Sequence, residues 1–230
     1  MGPGDFAYLG QEFRRYFVEL GGLQPGDRVL DIGCGVGRMA IPLIDYLEPP
    51  ARFDGFDVSR RMIHWCQEHI TPEHPNFVFE WTDVYNRQYN PGGSIDPGAF
   101  RFPVDDGSKD FVFATSVFTH MRAPGVEHYM AEIARTLAPG GTCLVTFFIL
   151  DEVSRAHRQS DASAHHFVHE QDGYYSAHQV RHEIAVAFDE AEVKAMLVRH
   201  GLMLKSIEPG GWSGRRGALS AQDLVIAQRG

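Results

Sequence analysis

Three acidic residues close three successive apolar runs: Asp31 in RVLDI, Asp57 in RFDGFD, and Asp83 just past FVFEW. Between the first two lies Gly33-Cys34-Gly35-Val36-Gly37, where glycines permit a tight turn and let a ligand approach the main chain. Asp57 falls twenty residues beyond Gly37, with Val58 beside it, where a carboxylate can accept both hydroxyl protons of a ribose. Asp83 stands where an adenine amino group could donate to it. Singly, each aspartate reads equally well as a turn or cap residue. Jointly, they line the carboxyl edge on which open α/β sheets bind ligands. The glycine spacing is G-x-G-x-G, with Arg38 in the last position of the dinucleotide fingerprint, so NAD fits poorly and another nucleoside fits better.

His120, just past the fourth apolar run, has a side chain suited to proton transfer near neutral pH; a solvated or structural ring is the competing reading. Six of the twelve histidines fall in residues 151–182. His165/His169 and His178/His182 have i, i+4 spacing beside Glu170 and Glu183, which on a helix could hold zinc. Neither pair matches H-E-x-x-H and the segment lacks helical periodicity, so a polar substrate lid is expected there, with no metal site. Tyr174 and Tyr175 could stack on an acceptor or serve as ordinary half-buried aromatics. Cys34, Cys66 and Cys143 are odd in number and far apart, which points to buried reduced thiols.

Strand-like and helix-like stretches alternate, and that pattern predicts a doubly wound α/β fold with a mostly parallel sheet. Strands are expected at 28–32, 52–57, 77–81, 110–117 and 142–149, with helices at 38–47, at 59–69 capped by Ser59, and at 126–137. Residues 86–98, rich in Pro, Gly and Asn, read as an irregular loop. A helix at 189–200 and an antiparallel pair at 202–207 and 223–227 close the chain. Phe6, Leu9, Phe13, Tyr16, Phe17 and Leu20 form an apolar helical stripe that packs an N-terminal helix onto the domain. The expected organisation is one domain over 1–230: N-terminal helix 1–23, core 24–150, inserted lid 151–187, and C-terminal helix and strand pair 188–230.

From about residue 24 to 150 the sequence resembles the class I S-adenosylmethionine-dependent methyltransferases, a Rossmann-like fold. VLDIGCGVGR is similar to the family's first motif, FDGFDVSRRMI to its ribose-binding second strand, and WTDV to its adenine-contacting element. FRFPVDDGSKDFVFATSVFTHM and LAPGGTCLVTFF are similar to its fourth and fifth strand regions, and 188–228 to its last helix and strand pair. The resemblance implies S-adenosylmethionine as cofactor and S-adenosylhomocysteine as product. Gly33, Gly35 and Gly37 would line the methionine part, Asp31 would face its amino group, and Asp57 with Val58 would lie at the ribose. Asp83 with the Val84 amide would meet the adenine, and Ser116 would lie near the methionine end. The 86–98 loop and the 151–182 insertion depart from the family's pattern. The implied reaction is an in-line displacement at a methyl carbon, which needs a base only when the nucleophile carries a proton of high pKa; His120 is placed for that role.

A composition 43% hydrophobic and 22% charged supports a packed globule, and the net charge of −9 disfavours nucleic acid or an anionic membrane as partner. A small-molecule acceptor is therefore expected, since no Asn-Pro-Pro-Tyr-type run follows the fourth strand. MGPGDFAYLG has no basic leader, apolar signal core or myristoylation pattern, and no run approaches a membrane span, so a cytoplasmic protein is expected. A nicotinamide oxidoreductase on a related fold is disfavoured by the glycine spacing and the lack of Tyr-x-x-x-Lys. A non-catalytic binding subunit is the other alternative, and it would be expected to have lost the acidic contacts.

Overall fold

Period-two alternation divides the apolar strand residues between two faces. Val29, Phe53, Phe79, Phe113 and Leu144 lie in one buried cluster, and Leu30, Phe56, Val112, Ala114 and Val145 in the other. A sheet covered on both sides follows. The structure, a computed structural model, describes residues 5–157 and 163–230; residues 1–4 of the expected N-terminal segment and 158–162 of the expected insertion lie outside it.

The described elements are, in chain order, α1 (Phe6–Glu19), β1 (Arg28–Ile32), β2 (Arg52–Asp57), α2 (Arg60–His69), β3 (Phe77–Trp81), β4 (Lys109–Ala114) and α3 (Ala123–Thr136). There follow β5 (Leu137–Phe147), β6 (Ile149–Leu150), α4 (Glu152–His157), β7 (His169–Gln171), β8 (Tyr174–Ser176), β9 (Val186–Asp189), α5 (Glu190–Arg199), β10 (Leu202–Glu208) and β11 (Asp223–Arg229). The main sheet has the order β10-β11-β5-β4-β1-β2-β3, parallel from β5 to β3 and antiparallel in its last pair. The doubly wound, mostly parallel sheet with an antiparallel C-terminal pair is thus present.

Several expectations are corrected. The helix expected over 38–47 is a run of tight turns around a short 3-10 segment, Ile41–Leu43. Pro42 has no N–H to donate to Arg38, and its ring crowds that carbonyl, so α-helical pairing cannot continue. Ser59 precedes α2 but its side chain makes no capping bond; its amide donates instead to Asp57 Oδ1 at 2.7 Å. The fourth strand ends at Ala114 rather than 117, because Ser116 takes a left-handed φ of 58°. The fifth begins at Leu137, with an irregular register across the Pro-Gly-Gly turn, and ends at Phe147.

The insertion is the largest difference. Where the sequence shows no regular period, its described residues help build a second sheet of order β6-β9-β8-β7, in which β6 continues the path of β5 and pairs parallel with β9. Phe148, Leu150, Phe167, Ala187 and Trp212 form its own apolar cluster. Its apolar residues are brief and interrupted by histidines and serines, which hides the period in sequence.

Candidate active site

The strand order turns back on either side of β1, so the crevice at the carboxyl ends of β1 and β4 is the topological switch point. Gly33, Gly35 and Gly37 all have positive φ, between 56° and 75°. At Gly33 the need is also steric, since a Cβ would come within 2.7 Å of the Val117 side chain in the loop after β4. The amides of Gly33 and Cys34 donate to the Phe56 carbonyl at 2.9 and 3.0 Å, folding the turn against β2.

Asp31 is 1% exposed, and neither carboxylate oxygen has a hydrogen-bond partner among the described residues. Burial, then the neighbouring Asp57 charge, push its pKa well above the carboxylate range, against a smaller opposing pull from Arg38. An unpaired buried carboxyl is costly, and a ligand ammonium would relieve that cost. Asp57 is better served: Oδ2 accepts from the Gly35 amide at 2.9 Å and Oδ1 from Ser59 at 2.7 Å, although burial still raises its pKa. Each oxygen retains a lone pair for a further donor. Val58 follows, its carbonyl accepting from Trp81 Nε1 at 3.0 Å.

Asp83 is held otherwise. Its carboxylate accepts from Ser94 Oγ at 2.6 Å and from Asn90 Nδ2 at 3.3 Å, and the Ser94 hydroxyl lowers its pKa. The 86–98 loop is thereby tied back over the end of β3. In the bridge of Val84 to Ile95, the Tyr85 and Ile95 amides donate while the Val84 amide takes no part. Ser116 donates its amide to Thr146 Oγ1 at 2.8 Å and its hydroxyl to Gln222 Oε1 at 3.2 Å, which stabilises the strained φ.

His120 ends a 3-10 turn, Phe118–His120, whose Phe118 packs inward fully buried. Its Nδ1 lies 3.1 Å from the Glu183 carbonyl oxygen. One edge of the ring stays exposed while the docked turn desolvates the rest, and burial lowers its pKa against the raising effect of the Glu183 and Ile184 carbonyls. Two histidines of the insertion serve packing and turns. His165 packs against Phe148 with ring centroids 4.9 Å apart and planes tilted by 54°, and His178 Nδ1 accepts from the amides of Val180 and Arg181. No helix carries either i, i+4 pair, and no cluster of three or more potential metal ligands occurs among the described residues. Tyr174 is buried with its hydroxyl 3.1 Å from His182 Nδ1, and Tyr175 lies under the Arg155 guanidinium at 5.5 Å. Tyr174 therefore cannot stack on an acceptor. The three cysteines are buried and unbridged.

Asp31, the glycine turn and Asp57 thus lie together at the ends of β1 and β2, with Val117 of the loop after β4 against Gly33, Asp83 and Val84 following β3, and Ser116 and His120 in the loop after β4. Thr146, Gln222, Asn90 and Ser94, which hold those groups, carry no sequence signal: the first two bond Ser116 from 30 and 106 residues away, and the last two bond Asp83 from within a loop without a periodic pattern.

Residues 29–141 match the family described as methyltransferase domain. Sterol 24-C-methyltransferase ERG6 of Saccharomyces cerevisiae is 29% identical over 66% of this chain and 38% of its own length. The 27-O-demethylrifamycin SV methyltransferase of Amycolatopsis mediterranei is 29% identical over 56% of this chain and 41% of its own. The chain spans 34–49% of the length of the first three curated relatives it matches. In fold, magnesium protoporphyrin IX methyltransferase of Synechocystis, solved with bound S-adenosylhomocysteine, superposes with a TM-score of 0.60 at 17% identity, covering 100% of this chain and 90% of that one. The acidic strand ends, the glycine turn and these likenesses agree: residues 29–141 match a methyltransferase domain, in keeping with the resemblance of the sequence to the class I S-adenosylmethionine-dependent methyltransferases.

Proposed function

We propose that this chain transfers a methyl group from S-adenosylmethionine to a small-molecule acceptor. The observation that carries the reading is the Asp31 carboxyl, buried with both oxygens unpaired beside Asp57, because a cationic amino group with ribose hydroxyls nearby would satisfy both carboxylates. Bound there, S-adenosylmethionine supplies a methyl carbon activated by its sulfonium. The chain's part is to hold and to exclude: Asp31 pairs with the ammonium, Gly33, Gly35 and Gly37 admit the methionine part, and Asp57 and Val58 take the ribose. Asp83 and the Val84 amide face the adenine, and Ser116 lies at the methionine end. His120 takes the proton of a hydroxyl acceptor through Nε2, and the insertion and the 86–98 loop keep water from the crevice.

A small acceptor is favoured by the net charge of −9, which repels nucleic acid and anionic membranes, and by the sterol and rifamycin acceptors in the names of the relatives. Among the described residues no helix is long and apolar enough to cross a membrane. Calorimetry tests the central claim. The protein should bind S-adenosylhomocysteine, and Asp57→Ala should weaken binding by ~2 kcal/mol, as expected when charge-assisted bonds are lost in a partly dry site. Absence of heat with folded protein would refute the reading.

A further inference from the structure

Residues 115–122 join β4 to α3, and the insertion is docked against them and against the first residue of α3 at successive points. His120 Nδ1 meets the Glu183 carbonyl at 3.1 Å. The Glu183 carboxylate reaches Arg122 at 2.5 Å. Gly173, at the tip of the β7–β8 hairpin with φ 80°, packs so near Ala123 that a Cβ would lie 3.2 Å from its methyl. Tyr174, buried behind that tip, reaches His182 with its hydroxyl and ties the hairpin to the short turn His182–Ile184.

These contacts decide which ring nitrogen can act. A carbonyl oxygen only accepts, so the hydrogen bond at 3.1 Å places the proton on Nδ1 and leaves the lone pair on Nε2. Free histidine prefers the opposite tautomer, so the surroundings must supply the preference. The ring is flanked by the Glu183 and Ile184 carbonyls and by the titratable His165, and the Glu183 oxygen is the one at hydrogen-bond distance from Nδ1, while Arg122 pairs with the Glu183 carboxylate.

We propose that the insertion is a positioning element for His120: its 182–184 turn sets the ring's tautomer through the Glu183 carbonyl, with Arg122, the Glu183 carboxylate and Gly173 holding the turn in place. The inference rests on the reading of His120 as the base. It gives the insertion a role in acid–base chemistry as well as in covering the crevice, and it makes Arg122 a positioning residue rather than a catalytic one. The Arg122–Glu183 pair is half-exposed and weak alone, so the hairpin tip at Ala123 is a second, independent hold.

The test reads the imidazole nitrogens by NMR on the full chain with isotope-labelled histidine, at alkaline pH and with S-adenosylhomocysteine added. The His120 signals are those lost in His120→Ala. The wild type should be mainly Nδ1-protonated, and Arg122→Glu and Gly173→Val should each lose that dominance. Arg122→Glu/Glu183→Arg should restore it, which a general loss of structure would not allow. A wild-type ring mainly protonated on Nε2, single variants that keep the Nδ1 form, or failure of the swapped pair to restore it would overturn the proposal. Calorimetry on the same samples reports the cofactor site separately: lack of S-adenosylhomocysteine binding would sink the methyltransferase reading while the tautomer still decides the inference.

Discussion

Asp31 and His120 are both shifted by burial, with opposite consequences for charge. Burial raises the pKa of Asp31 and so favours its protonated form in the free protein, while a bound ammonium favours its ionised form. Ligand binding at a pH between its free and bound titrations should therefore release a proton, seen as a heat that varies with the ionisation enthalpy of the buffer. Asp31→Asn should abolish that dependence; a dependence that survives would place the proton elsewhere. His120, a base whose pKa is lowered from 6.5, is favoured neutral by the fold. It contributes stability that is fully present above pH 6.5 and is lost as pH falls from there through the lower folded pKa. Its ring protons should titrate below 6.5 by NMR, and a midpoint at or above 6.5 would contradict the desolvation that the docked turn imposes.

At the scale of elements, legibility followed the range of the interactions. Strands β1, β2 and β3 were readable because each is a short apolar run with a local stop, and Asp31, Asp57 and Asp83 were readable because they sit at those stops. The turns after Gly37 were misread as helix since one residue, Pro42, outweighs the apolar spacing around it. The second sheet was illegible because its strands are two to four residues long and gain their burial from Trp212, far along the chain. Asp223 holds this junction. At 1% exposure it accepts from the Ile149 amide at 2.7 Å, the Gly210 amide at 2.6 Å and Trp212 Nε1 at 2.7 Å. Asp223→Ala would leave three buried donors unpaired, each typically worth ~1–3 kcal/mol, so a drop of several kcal/mol in denaturant stability is expected. Hydrogen exchange should quicken first in β8 and β9; uniform quickening across the main sheet would show that the junction is not a separate unit.

Over the whole molecule the open question is whether α1 is a detachable cover or part of the core. Phe17 is fully buried, stacked on Phe113 with centroids 4.3 Å apart and edge-on to Phe111 at 5.7 Å. Those two rings stand on β4, in the middle of the sheet, so α1 closes one face of the domain. It also touches the crevice at one remove: the Tyr16 hydroxyl donates to the Leu219 carbonyl, in the loop whose Gln222 accepts from Ser116. The two contacts separate by mutation. Phe17→Ala removes a buried ring and should cost about 3–5 kcal/mol of folding stability, a core penalty, while leaving the affinity of still-folded protein for S-adenosylhomocysteine unchanged. Tyr16→Phe keeps the packing and deletes only the bond to the loop, so stability should fall by no more than about 1.5 kcal/mol. Any change in ligand affinity should then appear in Tyr16→Phe. If Phe17→Ala instead weakened binding with little loss of stability in denaturant melts, α1 would be a cover over the ligand, and the burial of Phe17 against β4 would have to open in solution.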